Sequence, residues 1–258
     1  MKRVLTVIEI LIIVVLIVIW VPRRSDLDMS SYVETVGIEA SEGTSEEAAE
    51  STQASAGISE ETAEEPILIE KHEVMKEYKD LSSQNSDMVG FIYLPEGSYP
   101  VVQRVADQNY YLDKNFFGEK DKNGSIFANR YSDLGQAGIS LLYGHTMRSG
   151  AMFGGLKRWL DKDYFSEHPI IRLDTLYECM DYEVVAVIET SMHEEFCYFD
   201  YVGGVSESDF NDWKAGMSGY VSQGSLDNLS YGDVICELSC CAYHVKDGRL
   251  VLVLRALG

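Results

Sequence analysis

The pattern of apolar and polar positions changes character twice along the chain. Val4 to Val21 is a run of eighteen residues broken by a single charge, Glu9. Ser25 to Pro66 follows neither a helix nor a strand period. From Ile67 onward the apolar positions fall into recognisable periods. Ile67, Val74, Tyr78 and Leu81 recur at helical spacing between Glu and Lys, which predicts an amphipathic helix over 67–83. "MVGFIYLP" (88–95) and "YPVVQRV" (99–105) predict short strands around a glycine-containing turn. "NYYLDKNFF" predicts a turn of helix, and "GSIFANR" and "GISLLYGHT" predict strands bounded by glycines. "AMFGGLKRWL" predicts a short helix, then "PIIRLDT" and "YECMDYEVVAVIET" predict strands. Ser206 and Asp209 have the spacing of a capping box, ahead of a helix face formed by Phe210, Trp213, Met217 and Tyr220. "DVICELSC" and "RLVLVLRAL" close the chain as strands. Many short strands with few helices predict a mixed β-barrel decorated by helices.

The first apolar run would span about 27 Å as a helix, enough for a bilayer core. Trp20 stands where an interfacial aromatic belongs. Pro22-Arg23-Arg24 follows in place of a small-residue cleavage site, so the run reads as an uncleaved anchor rather than a signal peptide. Lys2 and Arg3 balance Arg23 and Arg24, so charge alone does not orient it.

Composition then separates the rest. The net charge is −21, and Ser25 to Pro66 carries twelve Asp or Glu with no Lys or Arg. Such a stretch buries too little apolar surface to fold and is expected to be an extended tether over 22–66. The acidity excludes a general nucleic-acid partner, which needs a basic face. Residues 67–258 remain as one domain, long enough for a sizeable core. No phosphate loop or dinucleotide fingerprint is present. His72, His145, His168, His193 and His244 lack ligand spacing, and the cysteines form no C-x-x-C, so neither metal nor cofactor is expected.

Chemistry concentrates in "ICELSCCAYHVKDGR", Ile235 to Arg249. In a strand, Val234, Cys236, Leu238 and Cys240 share one face, which is apolar throughout. Buried cysteine behaves as a small hydrophobe, so Cys236 and Cys240 read as core. Ile235, Glu237, Ser239 and Cys241 share the other, more polar face, and Cys241 ends the strand where a reactive thiol can sit. A Cys179–Cys197 disulfide is a competing use of thiols that sequence does not decide. A nucleophilic thiol needs a nearby cation and a proton donor for the leaving group. His145, behind Gly144 at the end of an apolar strand, is the upstream candidate, and His244 the weaker one. Arg249 opens the last strand. A two-residue hairpin at Asp247-Gly248 would put it about 17 Å from Cys241 at ~3.3 Å per residue. A looser loop over 242–248 would bring the two together, and periodicity does not choose.

These residues resemble the sortases, membrane-anchored cysteine transpeptidases of Gram-positive bacteria. "ELSCC" (237–241) is similar to their T-L-x-T-C motif, with Glu237 and Cys240 replacing both threonines. "NGSIFANR", "LLYGHTMRSGAMFGGLKRW", "HPIIRL", "GRLVLVL" and "VGFIYLPEGSYPVVQ" followed by "YYL" resemble class B over about 85–258. The resemblance implies an eight-stranded barrel, mainly β with helices, including N-terminal helices and one before the cysteine strand. It implies a looser loop over 242–248 and a catalytic set of Cys241, His145 and Arg249, with no cofactor. It further implies that Leu112 and Ser239 line the substrate groove; Gln108 stands where relatives often have Asn. The implied partners are a sorting-signal peptide and an amine of peptidoglycan or pilin. The implied location is the cell membrane, with the N-terminus cytoplasmic and the catalytic domain outside. The rival readings are a cysteine peptidase or an L,D-transpeptidase, whose usual Ser-His-Gly-Cys run is absent, and a non-catalytic peptide-binding barrel.

Overall fold

A computed structural model describes residues 73–258. The expected anchor, the acidic tether and the start of the expected helix over 67–83 lie outside the described residues. Among the described residues there are nine strands: β1 Met88–Leu94, β2 Gly97–Val102, β3 Ile126–Ala128, β4 Gly138–Tyr143, β5 Ile170–Thr175, β6 Asp181–Ser191, β7 Val221–Gly224, β8 Val234–Ala242 and β9 Gly248–Ala256. Three α-helices accompany them: α1 Lys79–Gln84, α2 Lys162–Glu167 and α3 Glu207–Ser218.

The sheet order is β5-β1-β2-β3-β4-β8-β9-β6-β7, and β5 also pairs with β6. That last pairing closes eight strands into a barrel, and β7 hangs on β6 outside the closure. Closure removes the exposed edges that a sheet of this size would otherwise present. Most neighbours are antiparallel, but β2 runs parallel to β3, and β4 runs parallel to β8, Gly138 against Val234 through Tyr143 against Ser239. The long connection that parallel pairing requires holds β5, β6, α3 and β7. It brings residues almost a hundred positions apart to the same barrel rim.

Every barrel strand sends side chains into the interior, among them Ile92, Val101, Ile126, Leu142, Leu173, Val187, Leu238 and Leu252. A second cluster lies outside the wall. Phe210, Trp213 and Met217 of α3 pack there on Ile139, Leu141, Ile188, Ile235, Val251 and Val253. The third cluster joins Tyr78 and Leu81 to Phe91, Val102 and Phe127 on the outer face of β1 to β3. The barrel wall is therefore covered on its outside along β4-β8-β9-β6 and again along β1 to β3.

Several expected elements differ in extent. The helix expected over 67–83 is, in its described part, a 3-10 turn at Lys76–Tyr78 followed by α1. "AMFGGLKRWL" forms only a 3-10 turn at Leu156–Leu160; its first half is a turn in which the Gly154 amide donates to the Ala151 carbonyl at 3.0 Å. Helix α2 was not expected; Asp161 caps it by accepting from the Asp163 and Tyr164 amides. Helix α3 carries the expected capping box, with the Ser206 hydroxyl accepting from the Asp209 amide. Among the described residues no helix is long and apolar enough to cross a membrane.

Candidate active site

Cys241 lies near the end of β8, where the cover over the strand runs out. Its directly opposed residue across the β8–β9 ladder is Arg249, and Ala242 faces Gly248 one step further on. The turn between them is therefore residues 243–247, not the tight two-residue hairpin. Asp247 takes a left-handed conformation with φ 52°, a state Asp adopts more readily than most residues. Gly248 is required next to it: a Cβ there would stand 2.6 Å from the Ala242 carbonyl oxygen. These local features convert a hairpin signal into the looser loop that sets Arg249 opposite Cys241 in the ladder. The Arg249 guanidinium is steadied by donating to the Gly248 carbonyl at 2.9 Å and the Asp247 carbonyl at 3.3 Å.

His145 arrives from the other side of β8. The parallel register ends at Tyr143 opposite Ser239, and the Gly144 amide continues it by donating to the Ser239 carbonyl at 3.2 Å. One further step sets His145 level with Cys241. Gly144 has no room for a side chain, since a Cβ would lie 2.7 Å from the Phe153 ring. The next residue locks the strands together: the Thr146 hydroxyl donates to the Cys241 carbonyl at 2.5 Å. Sequence reasoning missed Thr146, although its place directly after the candidate histidine was a usable signal. The His145 ring is held by Nε2–H donating to the Leu112 carbonyl at 2.7 Å. Only that tautomeric assignment gives the carbonyl a donor, and it leaves Nδ1 clear of this contact. Leu112 itself is an exposed apolar residue whose backbone carbonyl holds the histidine. Gln108 is turned to the backbone, accepting from the Arg130 amide at 2.6 Å.

The neighbouring thiols differ in kind. All five cysteines are free, so Cys179 and Cys197 form no disulfide. Cys236 and Cys240 point into the barrel core. Burial pushes the Cys240 thiol up to about 11, only partly opposed by the Thr146 hydroxyl. Burial raises Cys236 further. Both are held as neutral thiols at ordinary pH, which is the inert form. Cys241 is the partly exposed member of the three.

The polar face of β8 is not a solvent face. Glu237 is 0 % exposed beneath α3, with the Trp213 indole donating to Oε1 at 3.0 Å. Its Oε2 has no partner among the described residues. Burial, opposed by the indole, pushes its carboxyl up to about 8. Ser239 corrects an expectation too. It is 2 % exposed, and its hydroxyl is engaged with the Tyr198 hydroxyl at 2.7 Å, so it does not line the groove in this structure. Tyr198, from the 3-10 turn Tyr198–Tyr201, was missed because nothing in the sequence ties that turn to β8.

A cleft of about 1080 Å³ opens onto the thiol, lined by Cys240 and Cys241 at one end and by Lys122, Arg148 and Lys157 further out. Among the described residues no group of three His, Cys, Asp or Glu is placed to hold a metal ion. The arrangement suits thiol chemistry on a carbonyl: a partly exposed thiol at a rim, an arginine opposite it in the ladder, and a histidine level with both by register.

No model of a known protein family matches the chain. Sortase B of Listeria monocytogenes is 32% identical over 189 residues, covering 70% of this chain and 74% of that protein. The crystal structure of Bacillus anthracis sortase B in complex with AAEK2 superposes with a TM-score of 0.64 at 32% identity, covering 72% of this chain and 85% of that one. A Staphylococcus aureus sortase B–substrate complex superposes at 0.63 with 26% identity, covering 71% and 86%. The closed eight-stranded barrel, the rim site and the length of the shared sequence together assign this chain to the sortase B family.

Proposed function

We propose that this sortase acts as a cysteine transpeptidase through Cys241, Arg249 and His145, and joins a sorting-signal peptide to an amine of peptidoglycan or pilin. Family membership supports transpeptidation in general. The observation that carries the residue roles is the direct opposition of Cys241 and Arg249 at the rim, with His145 level with them by the β4–β8 register.

The thiolate of Cys241 attacks the scissile carbonyl, and a C–S bond forms. Arg249 donates hydrogen bonds to the oxygen as negative charge builds there. His145, as imidazolium, gives its proton to the departing amine as the C–N bond breaks. A thioacyl enzyme remains. An incoming amine attacks it, loses a proton to His145 and releases the thiolate. Splitting one acyl transfer into two steps is the usual gain of covalent catalysis. Because thiolate and imidazolium must coexist, the rate is expected to be bell-shaped in pH. In this reading Val4–Val21 anchors the protein in the cell membrane, and 22–66 holds the catalytic domain outside it.

The test is product analysis of the full-length chain with LPxTG-, NPQTN- and PPxTG-type peptides and an added amine. A ligated peptide is the expected product. Cleaved peptide alone, at saturating amine, would make the enzyme a hydrolase, and no turnover of any kind would favour a binding protein.

A further inference from the structure

In the mechanism above the Arg249 guanidinium meets a developing charge, and it stabilises that charge best when it is already in place. A long side chain at an open rim is not in place by itself, because its rotamers are many. Here two carbonyls hold it: Nη1 donates to Gly248 at 2.9 Å and to Asp247 at 3.3 Å. The position of the guanidinium is therefore set by the turn that carries those carbonyls. Packing does not fix that turn. Residues 243–247 are all exposed, Tyr243 by 84 % and Val245 by 49 %.

The chain leaving β6 holds the turn instead. Thr190 and Ser191 face Arg249 and Gly248 in the β6–β9 ladder. Beyond the ladder the Met192 amide donates to the Asp247 carbonyl at 3.1 Å, the same carbonyl that receives Arg249. His193 then reaches the Asp247 side chain, with Nε2–H donating to Oδ2 at 2.8 Å. An ionised carboxylate has no donor, so the ring supplies the proton of that bond. Asp247 sits at φ 52°, a left-handed state that costs a non-glycine residue free energy and persists where its surroundings hold it. The adjoining carboxylate, Glu194, is engaged by the Ser191 hydroxyl at 3.3 Å and the Tyr220 hydroxyl at 3.2 Å. On the opposite flank of the turn His244 lies 3.8 Å from Glu189, a looser contact.

We propose that His193 is a positioning residue for the acyl transfer: through Asp247 it fixes the turn whose two carbonyls hold the Arg249 guanidinium ready for the oxyanion. The inference rests on the transpeptidase reading above. His193 touches no substrate in this account, and no bond or proton changes at it during the reaction. An ordinary surface pair would add a little stability and stop there. This one ends on the residue whose own carbonyl receives the guanidinium. The two partners lie fifty-four positions apart, so no local sequence pattern signals the pair.

The experiment follows acylation of Cys241 in the full-length chain by intact mass, with LPxTG-, NPQTN- and PPxTG-type peptides over a concentration series. His193→Ala should lower the limiting rate about three- to fivefold, the scale of an exposed charge-assisted contact. The half-saturating peptide concentration should hold, because the loss falls on the transition state. His193→Gln, whose amide still donates to Asp247, should recover most of the rate. In an Arg249→Ala background His193→Ala should cost nothing further, because the group it positions is gone. An unchanged rate in His193→Ala, no recovery in His193→Gln, or an equal loss in both backgrounds would overturn the proposal. The transpeptidase reading fails differently: the unaltered chain is not acylated, or Arg249→Ala leaves its rate unchanged.

Discussion

Cys240 and Cys241 are neighbours in sequence and opposites in environment. Cys240 turns inward among the barrel's aliphatic side chains and is 4 % exposed. Cys241 turns outward, on the face that α3 covers at Glu237 and Tyr198 covers at Ser239, beyond which it is partly exposed. The same alternation operates further down the strand, where Cys236 and Glu237 are both fully covered. Strand parity therefore decides which way a side chain points, and depth along the strand decides whether it meets water. Reactivity needs both, and only the rim of β8 supplies both. The lesson is that a second core covers the outer face of β8 as far as Ser239, and the candidate nucleophile lies just beyond it.

Breaking the pair apart should give the largest effect. Cys241→Ala is expected to lower turnover by at least about a thousandfold, while Cys240→Ala keeps turnover within roughly threefold and costs about 1–2 kcal/mol of stability. Steady-state kinetics with thermal melts separates the two. Next, Arg249→Ala should cost about a hundred- to thousandfold in kcat, with a smaller change in KM, because its hydrogen bonds strengthen as the oxyanion forms. Equal effects on kcat and KM would argue for binding alone.

The covered part of the outer face offers a different test. The Glu237 carboxyl is raised from 4.5 to about 8 by burial. The folded state therefore holds this proton more firmly than the unfolded chain does. Its contribution is full below about pH 4.5 and is lost as pH rises toward 8, with a total swing of several kcal/mol. Melting curves of the native protein should fall across that window, and those of Glu237→Gln should fall much less. Parallel curves would mean that the carboxyl is not isolated under α3. The smallest effect is expected from Ser206→Ala, which removes the cap of α3 and costs about 1 kcal/mol. It should loosen the cover on β8 without touching the rim, so stability drops and kcat holds.

The same two faces show how much the sequence carried. Strand alternation and the Asp-Gly signal located β8, β9 and their turn, and the capping box located α3. The barrel itself was legible, through the resemblance as much as through periodicity, and Cys241, His145 and Arg249 stood out as candidates that the strand registers bring to one rim. Alternation could not say what lies over a face. Glu237 and Ser239 fall on the more polar face of the strand; they are buried because Trp213 and Tyr198, distant in sequence, supply hydrogen bonds there. The turn length was equally hidden, since a dipeptide signal does not show that Gly248 belongs to the ladder and Asp247 to the loop. Helix α2 and strand β7 were missed because six and four residues hold too little period to read.

The central claim is that position on β8 makes Cys241, and not its neighbour, the nucleophile. The most direct measurement is to quench the full-length chain during reaction with a sorting-signal peptide and map the thioacyl group by peptide fragmentation. The account predicts the acyl group on Cys241, unchanged in Cys240→Ala and absent from Cys241→Ala. An acyl group on Cys240, or one that persists in Cys241→Ala, would contradict it.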